Sequence, residues 1–180
     1  MISKTAITYG GALYDLAQEE SLEKKLLDEL LQISALFRQN PDYTRLLMEP
    51  SIEKAQRAQL IDEAWKDQVH PYVLNFMKLL CDNGTISLLP DCVKAFRSRY
   101  NEAHGIIDVR AVCAVPLTDD QTARLRAKLE AKCHKQVELS VQVDPSLLGG
   151  IRLELPDRQL DGSVRNHLSQ IQQLLESSTL

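Results

Sequence analysis

Two kinds of hydrophobic spacing divide the chain near Gly105. Before that glycine, apolar residues recur every three or four positions, which is the spacing of amphipathic helices. After it, apolar and polar residues alternate, as in a β-strand that has one buried face. The pattern therefore predicts an α+β protein, with an N-terminal helical bundle at residues 1–105 and a small second domain at residues 106–180.

Breaks in the helical pattern divide the first region into six predicted helices. Ser21 can cap the second helix, Pro41 suits the first position of the third, and Ser51 restarts a helix after a proline. The expected helices run from Lys4 to Glu20, from the cap at Ser21 to Asn40, from Pro41 to Met48, from Ser51 to Trp65, from Pro71 to Asn83 and from Leu89 to Ala103. The region is thus expected to form a six-helix bundle.

The first and fifth helices have more apolar surface than a single buried stripe requires. The fifth carries Val73, Leu74, Phe76, Met77 and Leu80. Core packing explains this surface if the fifth helix is central in the bundle. A groove for a partner helix explains it equally well, because Gly10, Gly11 and Ala12 would let such a helix lie close. The spacing alone leaves both interpretations open.

The second region predicts the element order β-α-β-β-α. Thr118 and Gln121 form a capping-box pattern, in which each side chain satisfies the other residue's free amide, and this marks the start of a helix. The expected strands span Ile107 to Val115, Val137 to Val143 and Ile151 to Leu155, with the helix running from Thr118 to about Cys133. The small domain is therefore expected to pack a helix against a sheet.

Turn residues and a helix start surround the third strand. Asp144-Pro145 predicts a turn, and Gly149-Gly150 predicts a place where a side chain would clash or where φ is positive. Asp161, Gly162 and Ser163 are expected to begin the final helix and to cap its free amides. The apolar face of that helix would consist of Val164, Leu168, Ile171 and Leu175.

Composition narrows the functional classes. The 180 residues are 44% apolar with a net charge of −4, and no run of Lys and Arg interleaves with aromatic residues to bind nucleic acid. The longest apolar run, Ala111 to Val115, is far shorter than the roughly 20 residues of a membrane span. No signal-peptide pattern occurs in residues 1–20, so export is not expected. The four widely spaced cysteines are expected to be reduced thiols, mostly in the core.

No residue pattern in the chain indicates catalysis. Asp161, Ser163 and His167 are the residue types of a nucleophilic triad, but the strained elbow motif around the serine is missing, so we interpret them as turn and cap residues. Gly149-Gly150 precedes a strand and lacks the spacing of a phosphate-binding loop. Cys133 and His134 lack the paired spacing of a zinc site. We therefore expect a protein with no catalytic residue, cofactor or metal.

The order of elements, together with several short motifs, resembles the delta subunit of bacterial F-type ATP synthases, the family of the mitochondrial oligomycin-sensitivity-conferring protein. The most specific motifs are VDPSLLGGIRLEL and LDGSVRNHL in the second region. Further similarities are Tyr9-Gly10-Gly11-Ala12-Leu13, Glu49-Pro50-Ser51 and Val115-Pro116-Leu117. The resemblance covers the whole chain.

This resemblance implies a non-catalytic stator subunit that links the catalytic head to the peripheral stalk and resists rotor torque during ion-gradient-driven ATP synthesis. The N-terminal segment of an alpha subunit would bind as a helix between the first and fifth helices. The residues implied for this head contact are Tyr9, Leu13, Leu16, Phe76, Leu79 and Leu80. Those implied for the contact with the stalk b subunits are Ile151, Leu153, Leu168, Ile171 and Leu175.

The same resemblance implies a location at the cytoplasmic face of the bacterial cell membrane, as a peripheral part of the complex and without insertion into the bilayer. An alternative function from another class is a freestanding cytosolic adaptor that binds an amphipathic peptide helix. Identification of the proteins that co-purify with the chain would separate the two.

Overall fold

The protein is an α+β molecule of two compact units, Met1–Tyr100 and Asn101–Leu180. This computed structural model describes residues 3–147, 149–155 and 159–161. The predicted class, helices first and a small sheet domain afterwards, is confirmed. The second unit begins within the last turns of the final helix of the first region, before Gly105. Inside this unit, the Asn101 side-chain amide donates a 2.9 Å hydrogen bond to the Asp108 carboxylate.

The first unit is helical. Its helices are α1 (Lys4–Glu19), α2 (Glu23–Gln39), α3 (Pro41–Met48), α4 (Lys54–Trp65), α5 (Pro71–Asp82) and α6 (Leu89–Ala103), with a short 3-10 helix at Ile86–Leu88; the last turn of α6 lies in the second unit. Removing apolar side chains from water drives their packing into one core. The largest fully buried side chains of this core include Leu26, Leu30, Ile33, Leu47, Ile61, Met77, Leu80 and Phe96.

Two helix starts differ from the prediction. Ser21 does not cap α2; it adopts a left-handed conformation, with φ of 57°, after the end of α1. Its N–H donates to the Gln18 carbonyl and the N–H of Leu22 donates to the Ala17 carbonyl, which is the Schellman pattern of a helix end. The predicted restart at Ser51 was also early, because α4 begins at Lys54.

In its described residues, the second unit is a four-stranded sheet with one helix packed on it. Its elements are β1 (Ile106–Cys113), α7 (Asp119–Cys133), β2 (Gln136–Val143), β3 (Ile151–Glu154) and β4 (Gln159–Asp161), and the strand order is β2-β1-β3-β4. β2 is parallel to β1, whereas β3 is antiparallel to β1 and to β4. The capping box of Thr118 and Gln121 is formed as predicted and begins α7.

The chain after β3 departs from the prediction. We expected it to pass directly into a helix capped by Asp161, but β4 intervenes and Asp161 is its last residue. Gly162, Ser163, Val164 and the rest of the predicted final helix lie outside the described residues.

The turn before β3 matches the prediction in two respects. Gly150 has a φ of 84°, a conformation that favours glycine. The Asp144 carboxylate accepts a 2.9 Å hydrogen bond from the Ser146 backbone N–H, and Pro145 lies within this turn. Hydrogen bonding from the side chain and the backbone of Ser146 lowers the pKa of Asp144.

The four cysteines are free thiols. Cys81, Cys92 and Cys113 are buried, and Cys133 is half-buried. Burial, with a smaller contribution from the neighbouring Asp91 carboxylate, raises the pKa of Cys92 to about 11. Because the thiolate is the reactive form, this thiol is a poor nucleophile at neutral pH.

Candidate helix-binding groove

An apolar groove lies between α1 and α5 on the first unit. It has a volume of about 410 Å³. Its lining residues are Tyr9, Ala12, Leu13, Leu16, Tyr72, Asn75, Phe76 and Leu79. The lining positions recur every three or four residues on both helices, so one stripe of each helix forms each wall.

Contacts at both ends hold α5 in place. Pro71 occupies the first helical position, and the Nδ1 of His70 accepts a hydrogen bond from the Tyr72 N–H at 3.3 Å. The His70 backbone N–H donates to the Glu29 carboxylate at 2.7 Å, which ties the start of α5 to α2. Farther along, Lys78 forms an ion pair with Asp62 of α4. These contacts fix the wall of the groove in the bundle.

The groove residues divide into a buried floor and an exposed rim. Leu13 and Phe76 are only 5% and 7% exposed, so they pack into the core as well as lining the groove. Leu16 and Leu79 are 37% and 47% exposed, so much of each side chain remains in contact with water. The rim leucines are therefore the apolar groups that a bound partner would remove from water.

The structure corrects one predicted groove residue. Leu80 is fully buried in the core and does not line the groove. The reason is helical geometry, since successive residues lie about 100° apart around the axis and Leu79 already faces the groove. Of the six predicted groove residues, the other five, Tyr9, Leu13, Leu16, Phe76 and Leu79, come together in it.

Among the small residues of α1, Gly10 follows the core-packing interpretation. A side chain on Gly10 would place its Cβ only 2.4 Å from the Cys92 carbonyl oxygen and 2.9 Å from the Ala95 Cβ. Gly10 therefore allows α1 to pack closely on α6, inside the bundle. Of the three small residues, only Ala12 lines the groove.

Sequence reasoning missed the polar and aromatic members of the groove. Tyr72 and Asn75 lie on the α5 wall, where a search for apolar stripes had no reason to select an asparagine. At the other end, the Asn83 amide donates to the Tyr9 hydroxyl at 3.3 Å, joining the end of α5 to α1. The signal available in the sequence was the one uncharged polar residue within the run from Val73 to Leu80, whose other polar residue is Lys78.

The predicted stalk contacts lie on the second unit, where the structure describes two of the five. Leu153 packs against a small core formed by Val109, Leu129 and Val137, and Ile151 is half-buried on β3. Leu168, Ile171 and Leu175 lie outside the described residues. Leu153 therefore serves the core of its own unit.

The sheet carries exposed apolar residues that the sequence analysis did not select. Ala111 pairs with Val141 on one side and with Leu153 on the other, and Leu153 pairs with Leu160. Paired residues of neighbouring strands project to the same face. Val141 and Leu160 are exposed there, and so is Val143 at the next position of that face. The alternation that predicted β2 already placed Val141 and Val143 on one face of that strand.

Groups suited to metal binding do not come together in the part of the chain that the structure describes. No three or more His, Cys, Asp or Glu side chains are placed there to hold a metal ion. Ser163 and His167 lie outside that part. Within it, none of the helices is long and apolar enough to cross a membrane.

Comparisons with known proteins agree on one family. The family model "ATP synthase delta (OSCP) subunit" matches residues 5–175. The chain is 36% identical over 178 residues to the ATP synthase subunit delta of Geobacter metallireducens, covering 98% of this chain and 99% of that protein. It is 30% identical over 167 residues to the same subunit of Alkaliphilus oremlandii, covering 93% of each.

A solved structure has the same fold. A chain in the mitochondrial ATP synthase hexamer of Toxoplasma gondii superposes with a TM-score of 0.75, covering 96% of this chain and 98% of that chain. The two sequences are only 19% identical, so this similarity concerns the fold alone.

Proposed function

The chain belongs to the ATP synthase delta (OSCP) subunit family, and from this membership we propose that residues 1–105 hold the N-terminal segment of an alpha subunit in the groove, while residues 106–180 bind the b subunits of the peripheral stalk. As a member of this family, the chain is a non-catalytic stator subunit of ATP synthase. It links the catalytic head to the peripheral stalk and resists rotor torque. A freestanding adaptor is not favoured, because the family match spans nearly the whole chain.

The observation that carries the head contact is the exposed apolar rim of the groove. Leu16 on the α1 wall and Leu79 on the α5 wall form this rim, beside the buried floor of Leu13 and Phe76. An amphipathic helix that inserts apolar side chains here would remove both leucines from water. This arrangement supports the proposed partner, a short helical segment with an apolar face.

A stator contact must persist under load, which sets the affinity it needs. A nanomolar complex corresponds to about 12 kcal/mol of binding free energy. Interfaces reach such values through a few well-buried anchors surrounded by weaker contacts. The groove offers positions for anchors of this kind, and its floor is fixed by the core of the bundle.

For the stalk contact, the proposal rests on the second unit. The predicted residues Ile151, Leu153, Leu168, Ile171 and Leu175 remain candidates. The exposed Val141, Val143 and Leu160 add an apolar surface on the same unit. A location at the cytoplasmic face of the bacterial cell membrane, bound peripherally through the complex, belongs to this proposal too.

The head contact is tested by placing a charge on the rim. Leu79→Glu and Leu16→Glu should each weaken binding of a synthetic alpha N-terminal peptide by at least about tenfold, because a carboxylate would be buried against apolar side chains. Isothermal titration calorimetry with the full chain measures this. Leu13 and Phe76 are unsuitable positions, since a charge in the core would also unfold the bundle.

Ile7→Glu is the matched control. Ile7 lies on α1, as Leu16 does, but it is 50% exposed and does not line the groove. Its substitution should leave the affinity within about twofold of wild type. Normal peptide binding by Leu79→Glu, or an equal loss in Ile7→Glu, would show that the peptide binds elsewhere.

A further inference from the structure

Asn75 is a polar residue in an apolar wall. Its neighbours on the groove face of α5 are Tyr72, Phe76 and Leu79. The Asn75 side chain is exposed, and its amide has no hydrogen-bond partner within the described residues. It is therefore free to bond to whatever occupies the groove.

The position of Asn75 is near the middle of the groove. The lining residues run from Tyr9 to Leu16 on α1 and from Tyr72 to Leu79 on α5, and seven helical residues span about 10 Å. Asn75 lies three residues after Tyr72 and four before Leu79. The α1 wall has its smallest lining side chain, Ala12, at the corresponding central place. The middle of the groove thus combines an unpaired amide with free space.

A bound helix would change the surroundings of this amide. Its apolar face would displace water from the groove, and an amide removed from water requires a new hydrogen-bond partner. A single asparagine in an otherwise apolar helix interface fixes the register of coiled coils for this reason.

We infer that Asn75 is a specificity-determining residue of the groove, which selects a helix carrying one hydrogen-bonding side chain in the middle of its apolar face. This inference rests on the proposed function, since it takes the alpha N-terminal segment as the occupant. The bound helix would carry an apolar anchor on either side of that polar residue. One anchor would contact Leu16 and Tyr72 at one end of the groove, and the other would contact Tyr9 and Leu79 at the opposite end. The pairing with Asn75 then determines which register of the segment binds.

The test combines one protein variant with a peptide series. Asn75→Leu in the full chain removes the amide at similar volume, and Gln56→Leu is the control because Gln56 is an exposed amide on α4 outside the groove. The probes are the alpha N-terminal peptide and a set of variants in which each polar residue in turn is replaced by leucine. Calorimetry measures every pair, and thermal unfolding checks that both protein variants remain folded.

The expected loss for Asn75→Leu with the unmodified peptide is on the order of 5- to 150-fold in affinity, since the partner's polar group would be left unpaired. Gln56→Leu should stay within about twofold of wild type. One peptide variant should bind the wild-type chain with a similarly reduced affinity. The same variant should bind Asn75→Leu more tightly than the unmodified peptide does. A residue with a merely structural role would not produce this rescue.

Two results separate the failure of this inference from the failure of the proposed function. If the wild-type chain binds the peptide and Asn75→Leu binds it equally well or better, the amide remains in water at the rim and the inference is wrong, while the groove assignment stands. A loss in Asn75→Leu that no peptide variant rescues also contradicts it. If the wild-type chain does not bind the peptide at all, the proposed function itself is wrong and this inference falls with it.

Discussion

At the scale of single residues, two adjacent glycines of α1 have different roles. Gly10 faces the backbone of α6, where its missing side chain lets the two helices approach. Gly11 faces the Arg99 side chain, which is half-exposed and forms a 2.7 Å ion pair with Asp15. A backbone carbonyl has nowhere to move without shifting a helix, whereas an exposed guanidinium can rotate away.

Alanine substitutions should therefore separate the two glycines. Gly10→Ala is expected to lower the free energy of unfolding of the first unit by about 1–3 kcal/mol, since its Cβ would overlap the Cys92 carbonyl. Gly11→Ala should range from no change to a gain of about 1 kcal/mol, because alanine favours helix. Urea unfolding followed by the fluorescence of Trp65, the single tryptophan, reports on this unit. Equal effects at both positions would contradict the packing described for α1 and α6.

The groove residues show why the residue scale is the hardest to predict. α5 is apolar on more than one side, so helical periodicity could not decide which of Leu79 and Leu80 faces the core. On α1, Leu13 and Leu16 were named from the family resemblance, and both line the groove. Asn75 was missed because an apolar pattern search passes over the polar residue that interrupts it.

At the scale of elements, α1 and α5 end in the same hydrogen-bonded motif with different residues at its left-handed position. After α5, the N–H of Gly84 donates to Cys81 and the N–H of Thr85 donates to Leu80, with a Gly84 φ of 65°. Ser21 holds the equivalent place after α1, with a φ of 57°. A residue with a Cβ in this conformation costs about 1 kcal/mol relative to glycine.

The two single substitutions Ser21→Gly and Gly84→Ser should change the stability of the first unit in opposite directions. Ser21→Gly is expected to raise the free energy of unfolding of the first unit by about 1 kcal/mol, and Gly84→Ser to lower it by a similar amount. A Cβ at Gly84 would meet no atom within 4 Å, so the backbone conformation alone accounts for that loss. Chemical denaturation monitored at Trp65 measures both. A loss of stability in Ser21→Gly would mean that its side chain has a role that these backbone bonds do not explain.

Element prediction succeeded where a periodic pattern was long and failed where it was short. The change from helical to alternating spacing gave the order β1, α7, β2, β3, and the capping box located the start of α7. β4 has only three residues, too few for an alternation to be recognised. Ser21 was misassigned because serine is favoured as an N-cap, while the Schellman bonds that place it depend on the backbone of the preceding helix.

At the scale of the whole molecule, we propose one binding surface on each of the two units. The first unit has the groove between α1 and α5, and the second has an apolar sheet face that includes Val141 and Leu160. A stator subunit needs such an arrangement, because a torque is resisted only if head and stalk are held by the same chain. The family membership identifies the complex in which this occurs.

Reconstitution tests this central claim most directly. Membranes stripped of the catalytic head and of this chain are supplied with purified head, with or without the chain, and ATP-driven membrane potential is followed with a dye. We predict that the wild-type chain and Ile7→Glu restore both head rebinding and the potential, whereas Leu79→Glu restores less than about a tenth of either. If the head rebinds and generates the same potential without the chain, the chain does not connect the head to the stalk.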